Sequence, residues 1–395
     1  MAEPFEILLL NSISAGGLAR LPAPRYKVGK DVAHPAAVLL RSADMHAMEV
    51  PASVLAVARA GTGTNNIPVA AMSARGIPVF NAPGANANAV KELVLTGMLM
   101  AARNVPAALR FVRALDAKQA DMERHVEDGK KAFAGFELAG HTLGIVGLGR
   151  VGCLVADAAI KLGMHVLGYD PDITVDAAWS LPAQVVKARS VNEVLKSAHF
   201  ISLHVPLIAA TRHLVNADNI GLTRSGAVLL NFSREGVVDA AAVLASLSAK
   251  HLGWYVCDFP SPAINGHERV IALPHLGAST REAEENCAIM VVEQLRDYLE
   301  HGNVSNAVNF PQVSMDRESS WRVAIANANV PNMLGQISTA MARAGLNIHN
   351  MVNKSRGEMA YTLVDVDSPV ADAVLKDIAA IDGVLAVRWL PLAAG

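Results

Sequence analysis

Short apolar runs, each closed by polar or glycine-bearing residues, recur along this chain. Over residues 1 to about 95 they fall at Ile7–Leu10, Ala37–Leu40, Val54–Ala58 and Val79–Phe80. Continuous runs this short read as strands buried on both faces, and so as a parallel sheet. Asn88 to Asn104 is longer and apolar on most faces, which predicts a buried helix. Residues 105–140 read as charged helix and loop. Strand-like runs return at Thr142–Val146, His165–Gly168, Phe200–Val205, Ala227–Asn231, Gly253–Cys257 and Val270–Leu273. Arg281 to His301 is again helical in pattern, and Asn306 to Ser320 reads as a linker. The last stretch alternates strand (321–329), helix (331–345), two strands around a Lys354-Ser355-Arg356-Gly357 turn, helix (371–381) and strand (384–390). That order, βαββαβ, is ferredoxin-like.

The pattern predicts two doubly wound α/β domains and a small C-terminal one. The expected boundaries are 1–97 with 287–312 for a discontinuous first domain, 98–286 for the second, 313–320 for the linker and 321–395 for the last.

Chemistry enters at the ends of the strands. Thr142–Val146 runs into Gly147, Gly149 and Gly152, a G-x-G-x-x-G that opens a helical pattern. The first glycine permits a tight turn, the second lets a pyrophosphate approach the backbone, and the third lets helix and strand pack closely. The helix start offers free N–H groups to phosphate. Asp170 follows the next strand, where an acid accepts from both ribose hydroxyls and disfavours a 2′-phosphate. These features predict a dinucleotide site for NAD. The later strands end in His204-Val205-Pro206, Asn231-Phe232-Ser233-Arg234, Asp258, and Pro274-His275-Leu276-Gly277. In an open α/β sheet ligands sit beyond such ends. His275 titrates in the range a proton carrier needs, and Arg234 has the fork that grips a carboxylate. A histidine after a buried strand is usually structural, so both readings of His275 stand at this stage. Arg41, Ser42, Arg59 and Asn81 follow strands of the first sheet. Two arginines at one rim suit an anionic substrate; each alone is equally an ordinary surface charge.

Composition narrows the classes. Over 395 residues, 52% are hydrophobic and 18% charged, enough apolar material for several cores. The net charge of −2 gives no argument for a nucleic-acid partner. No apolar run is long enough for a membrane span. Glu3 and Glu6 stand where an export signal would carry Lys or Arg, so a cytoplasmic protein is expected. Cys153, Cys257 and Cys287 are odd in number and far apart, which predicts packed, reduced thiols. The histidines form no metal-ligand spacing, so no metal is expected.

Six segments together carry a resemblance: RSADMH at 41–46, RAGTGTNNI at 59–67, NAPGANANAVKEL at 81–93, GIVGLGRVG at 144–152, NFSREG at 231–236 and PHLGAST at 274–280. The chain resembles the D-isomer-specific 2-hydroxyacid dehydrogenases, and within them the members that act on 3-phosphoglycerate and carry a C-terminal ACT domain. The resemblance implies that Arg234 orients the substrate carboxylate and that His275 exchanges a proton with the hydroxyl. It implies that Arg41, Ser42, Arg59 and Gly61 hold the phosphate end, with Asn81 beside them. It places Thr62, Gly147, Gly149, Arg150, Val151, Gly152, Asp170, His204, Val205, Pro206, Thr211, Asn231, Phe232, Ser233, Asp258, Gly277 and Ala278 around NAD. It further implies a homodimer or homotetramer, and an L-serine effector at Asn329 and Asn347.

One departure stands out. The family's glutamate partner of the histidine is missing from Asp258-Phe259-Pro260-Ser261-Pro262-Ala263, and Glu268 is the nearest later acid. Glu268 is therefore the expected substitute. Two rival functions remain at this level: a broader 2-oxo acid reductase, and an NAD-sensing binding protein.

Overall fold

A computed structural model describes residues 3–115 and 121–392. The chain forms two compact units, residues 1–86 with 284–395, and residues 87–283. Each is built around a parallel sheet whose central strands are almost wholly buried.

The first unit begins with β1 (Phe5–Leu9), β2 (Tyr26–Gly29), β3 (Ala37–Leu40), β4 (Ala56–Arg59) and β5 (Val79–Phe80). They pair in parallel in the order β2-β1-β3-β4-β5. Strand β2 was not expected. It is an edge strand with Tyr26 buried and Lys27 exposed, so it lacks the continuous apolar run that marks its neighbours.

The second unit holds β6 (Thr142–Val146), β7 (His165–Tyr169), β8 (Val186–Lys187), β9 (Phe200–Leu203), β10 (Val228–Asn231), β11 (Trp254–Cys257) and β12 (Val270–Ala272). All pair in parallel, in the order β12-β11-β10-β9-β6-β7-β8. The order reverses between β6 and β9, which makes their carboxyl ends the switch point of a Rossmann sheet. The helix Ala87–Ala102 packs wholly in this unit, through Val90, Val94, Met98 and Ala101. Its burial explains the apolar pattern on most of its faces.

Residues 321–391 add β13 (Trp321–Ala328), β14 (Ile348–Arg356), β15 (Met359–Val366) and β16 (Val384–Pro391), in the antiparallel order β14-β15-β13-β16. The helices Met333–Arg343 and Asp372–Ala379 join Val323, Ile325, Val364 and Val366 in a core on one face. The opposite face is not left to solvent. Ala324, Ala326, Tyr361, Leu363 and Leu390 share one continuous core with Ile7, Leu39, Phe80 and the long helix Arg281–His301. Asn306–Ser320, which reads as a linker, is packed as well: Ala307, Phe310, Val313 and Met315 are buried, and Val313 bridges to Val304. The apolar residues of this stretch are spaced too widely for a helix or strand signal, but each finds the core.

Two arginines at this seam are paired. Arg322 and Asp365 are fully buried, with Nε–Oδ1 at 2.6 Å and Nη2–Oδ2 at 2.9 Å. Arg322 also donates to the carbonyls of His301, Met315 and Asp316. Arg388 lies over the Tyr298 ring at 4.4 Å and donates to the carbonyls of Tyr298 and Leu299 near the helix end. Cys153, Cys257 and Cys287 are all buried free thiols. Among the described residues no helix is long and apolar enough to cross a membrane.

Candidate active site

In the second unit the carboxyl ends of β6, β7, β9, β10, β11 and β12 share one edge, because all the strands are parallel. Gly147 turns there with φ +94°, and a Cβ on it would stand 2.4 Å from the His204 carbonyl oxygen. Only glycine fits at that φ and in that space. Gly149 caps the helix Arg150–Lys161, and a Cβ on it would meet nothing within 4 Å. This is the open approach a pyrophosphate requires, next to the N–H groups of Arg150 and Val151. Gly152 packs so closely that its Cβ would lie 2.1 Å from the Gly147 oxygen. Asp170, just past β7, accepts from Leu148 N–H at 2.8 Å through Oδ2 and from Asp172 N–H at 3.0 Å through Oδ1. The acid thus ties the glycine loop to the next strand while standing where a ribose would be read. The open Gly149, the helix start and this acid fit a dinucleotide.

Beyond β9, His204 Nε2 lies 2.8 Å from Ser202 Oγ. Burial pushes its pKa down to about 4, so the imidazole is neutral near pH 7 and shares one hydrogen bond with the serine hydroxyl. Thr211 folds the following loop: its hydroxyl donates to the Pro206 carbonyl at 2.5 Å and accepts from Ile208 N–H at 2.9 Å. Val205 precedes this turn. Beyond β10, buried Asn231 organises the loop that carries Phe232, Ser233 and Arg234. Its Oδ1 accepts from the N–H and hydroxyl of Ser233, and its Nδ2 donates to the Arg234 carbonyl at 2.9 Å. The Arg234 side chain is exposed and donates to the Ser233 carbonyl at 2.7 Å.

Asp258, buried at the end of β11, holds the last loop. Its carboxylate accepts from Leu276 N–H and Gly277 N–H, both at 2.7 Å. Desolvation raises its pKa, against the pull of those two bonds and of His275. Gly277 and Ala278 are thereby fixed beside β11. His275 sits in this anchored loop with φ +57°, a backbone state few non-glycine residues adopt. Its ring is exposed and tilted 58° to the Phe259 ring, 5.1 Å away. Among the described residues no carboxylate is hydrogen-bonded to that ring. Glu268 does not fill the role expected of it. It precedes Val270, at the amino end of β12, whereas His275 follows the carboxyl end. A run of parallel strand separates the two, so nearness in sequence became distance across the sheet.

The first unit gathers the other expected residues. β3, β4 and β5 are neighbours; Arg59 closes β4, and Arg41, Ser42, Gly61, Thr62 and Asn81 lie beyond the carboxyl ends. Asn81 Nδ2 donates to the Thr62 carbonyl at 2.6 Å, so this side chain is spent on joining the two loops. The Arg59 guanidinium lies over Gly61, where a Cβ would come within 2.5 Å of Nη1. Asn11 and Asn66 were not foreseen. Asn11 accepts from Arg41 N–H at 2.8 Å and donates to Ser42 Oγ at 2.9 Å, while Asn66 donates to the Ala43 carbonyl at 2.7 Å. The only sequence signal was an asparagine just past the first apolar run.

The C-terminal unit separates the two expected effector residues. Asn329 follows β13 and donates to the Gly357 carbonyl at 3.0 Å. Asn347 precedes β14 and bonds to Asp367, beyond the far end of β15. Pairing of β13 and β14 with β15 puts these asparagines at opposite edges of one sheet. A cavity of about 200 Å³ beside Asn329 is lined by Asn327, Asn332, Met333, Gly335 and Asn353. Asn327 Oδ1 is buried and lacks a hydrogen-bond partner.

Comparison with known proteins agrees with this geometry. Residues 95–277 match the family of the D-isomer specific 2-hydroxyacid dehydrogenases, in its NAD binding domain. The chain is 33% identical over 342 residues to D-3-phosphoglycerate dehydrogenase of Escherichia coli K12, covering 83% of this chain and 79% of that one. It is 34% identical over 356 residues to the D-3-phosphoglycerate dehydrogenase of Haemophilus influenzae, covering 87% and 83%. The NAD+-bound 3-phosphoglycerate dehydrogenase of Entamoeba histolytica superposes with a TM-score of 0.60 at 25% identity, covering 78% of this chain and 99% of that one. The cofactor is NAD, and the glycine turn, the helix start and Asp170 are the features that suit it. The chain belongs to the D-isomer specific 2-hydroxyacid dehydrogenases, and it is an NAD-dependent oxidoreductase.

Proposed function

We propose that the chain oxidises 3-phospho-D-glycerate to 3-phosphohydroxypyruvate, the first step toward serine. The observation that carries this reading is the pair of arginines, Arg41 just past β3 and Arg59 at the end of the adjacent β4, with Ser42 following Arg41. Two guanidinium groups at one rim match a phosphate monoester better than an uncharged tail. The names of the relatives that match over four-fifths of the chain support the same substrate.

Bound NAD supplies the hydride acceptor. The chain's own part is to hold the substrate and move a proton. Arg234, exposed on an organised loop, grips the carboxylate and draws charge from the adjacent carbon. His275 takes the hydroxyl proton from C2 as hydride departs, and returns it in the reverse direction. Its orientation rests on the Asp258-anchored loop, since among the described residues no carboxylate is hydrogen-bonded to the ring itself.

The C-terminal βαββαβ unit is read as an ACT domain that binds L-serine. The asparagine-lined cavity at Asn329 supports this. Because Asn347 stands at the other edge of the sheet, a serine touching both residues takes each from a different copy. The reading therefore includes a homodimer or homotetramer.

The substrate assignment is tested by Arg59→Ala. Losing a charge-assisted contact to phosphate costs about 1.5–3 kcal/mol. The variant should lose roughly 10- to 100-fold in kcat/KM for 3-phosphohydroxypyruvate and little for glyoxylate. An equal loss on both substrates would refute a phosphate role.

A further inference from the structure

The loop after β3 holds Arg41 by its backbone and leaves its side chain to a partner outside the loop. The guanidinium Nη2 lies 2.7 Å from Glu284 Oε1. The two side chains are 38% and 41% exposed, so the pair stands open to an incoming anion. Glu284 belongs to the first turn of the helix Arg281–His301, where the helix dipole favours an acid. One turn further on, buried Cys287 marks the same neighbourhood: its thiol is raised by burial, lowered by Arg41 and Arg59, and raised by Glu284. Two cations and one anion thus surround the rim at which the phosphate reading places its ligand.

We propose that Glu284 is a specificity-determining residue that competes with the substrate's phosphate for Arg41. This rests on the phosphorylated-substrate reading above. The Glu284 carboxylate, 2.7 Å from the Arg41 guanidinium, offsets the charge that Arg41 offers to an anion. A phosphate must displace the carboxylate from Arg41 and tolerate a like charge beside it. A substrate with an uncharged tail meets no such opposition. Glu284 therefore weakens binding of the phosphorylated substrate selectively, and sets its KM higher than the two arginines alone would allow.

Glu284→Gln keeps the shape and removes the charge. Steady-state KM would be measured for 3-phosphohydroxypyruvate and for glyoxylate, with NADH, in the full-length enzyme. The expected result is about a three- to tenfold fall in KM for the phosphorylated substrate. KM and turnover on glyoxylate should stay within about twofold of the parent, which also reports that the variant is folded. An unchanged or higher KM for 3-phosphohydroxypyruvate, with glyoxylate turnover intact, would overturn the proposal while leaving the substrate assignment standing. If the parent enzyme itself shows no preference for the phosphorylated substrate, the substrate assignment falls and this proposal with it.

Discussion

At the scale of single residues, the positions that were legible in sequence are those where backbone geometry admits one solution. Gly147 and Gly152 are required by a positive φ or a near-contact with backbone, and the G-x-G-x-x-G records that directly. Asp170 was legible because a strand end and a fixed spacing locate it. Glu284 was not: its partner Arg41 lies at the other end of the chain, and nothing local marks the pair. Glu268 was misplaced for the opposite reason. Counting along the chain ignores that a strand carries its two ends to opposite edges of the sheet. His204 yields a prediction at this scale. Its folded pKa of about 4 lies below the ordinary histidine value near 6.5, so the unfolded chain binds the proton first. The stability due to neutral His204 is complete above about pH 6.5 and is lost as pH falls toward 4, by up to about 3 kcal/mol. Comparing the thermal midpoints of the parent and His204→Gln at pH 7.5 and pH 5 checks this. The parent should lose more on acidification, and parallel losses would contradict the assignment.

At the scale of elements, six of the seven strand ends in the second unit each deliver one loop of the candidate site, and a buried polar side chain stabilises several of them: Ser202 at β9, Asn231 at β10 and Asp258 at β11. The strands were legible because all-buried parallel strands have continuous apolar sequences. The loops' internal hydrogen bonds were not, since asparagine and aspartate after a strand are as common in idle turns as in anchors. The Asp258 anchor has a measurable consequence. Asp258→Asn places a donor where two backbone N–H groups now find acceptors, so at least one bond is lost, at about 1–3 kcal/mol. The loop carrying His275 should loosen, and kcat should fall about 10- to 100-fold with the circular dichroism spectrum unchanged. A variant with undiminished kcat would show that His275 does not depend on this anchor.

At the scale of the molecule, the sequence suggests a C-terminal domain on a polar linker. The structure instead gives that domain two faces with different tasks. One face closes its own helical core, and the other completes the core of the first unit. Alternation along β13 and β15 encodes both faces, but alternation alone says only that a residue points away from the helices, not what covers it. The fully buried Arg322–Asp365 pair and the Arg388–Tyr298 stack lie on the outer face, where an uncovered sheet would offer charges to water. A ligand bound beside Asn329 would therefore act on a sheet that is continuous with the core of the first unit. The central claim, however, is the substrate. The most direct test is steady-state reduction of 3-phosphohydroxypyruvate with NADH, measured beside glyoxylate and 2-oxoglutarate. The account predicts a kcat/KM for the phosphorylated acid at least about 100-fold above either competitor, the effect of one or two charge-assisted contacts to phosphate. Equal efficiency on all three acids would contradict it, and would make the Arg41–Arg59 rim an ordinary charged surface.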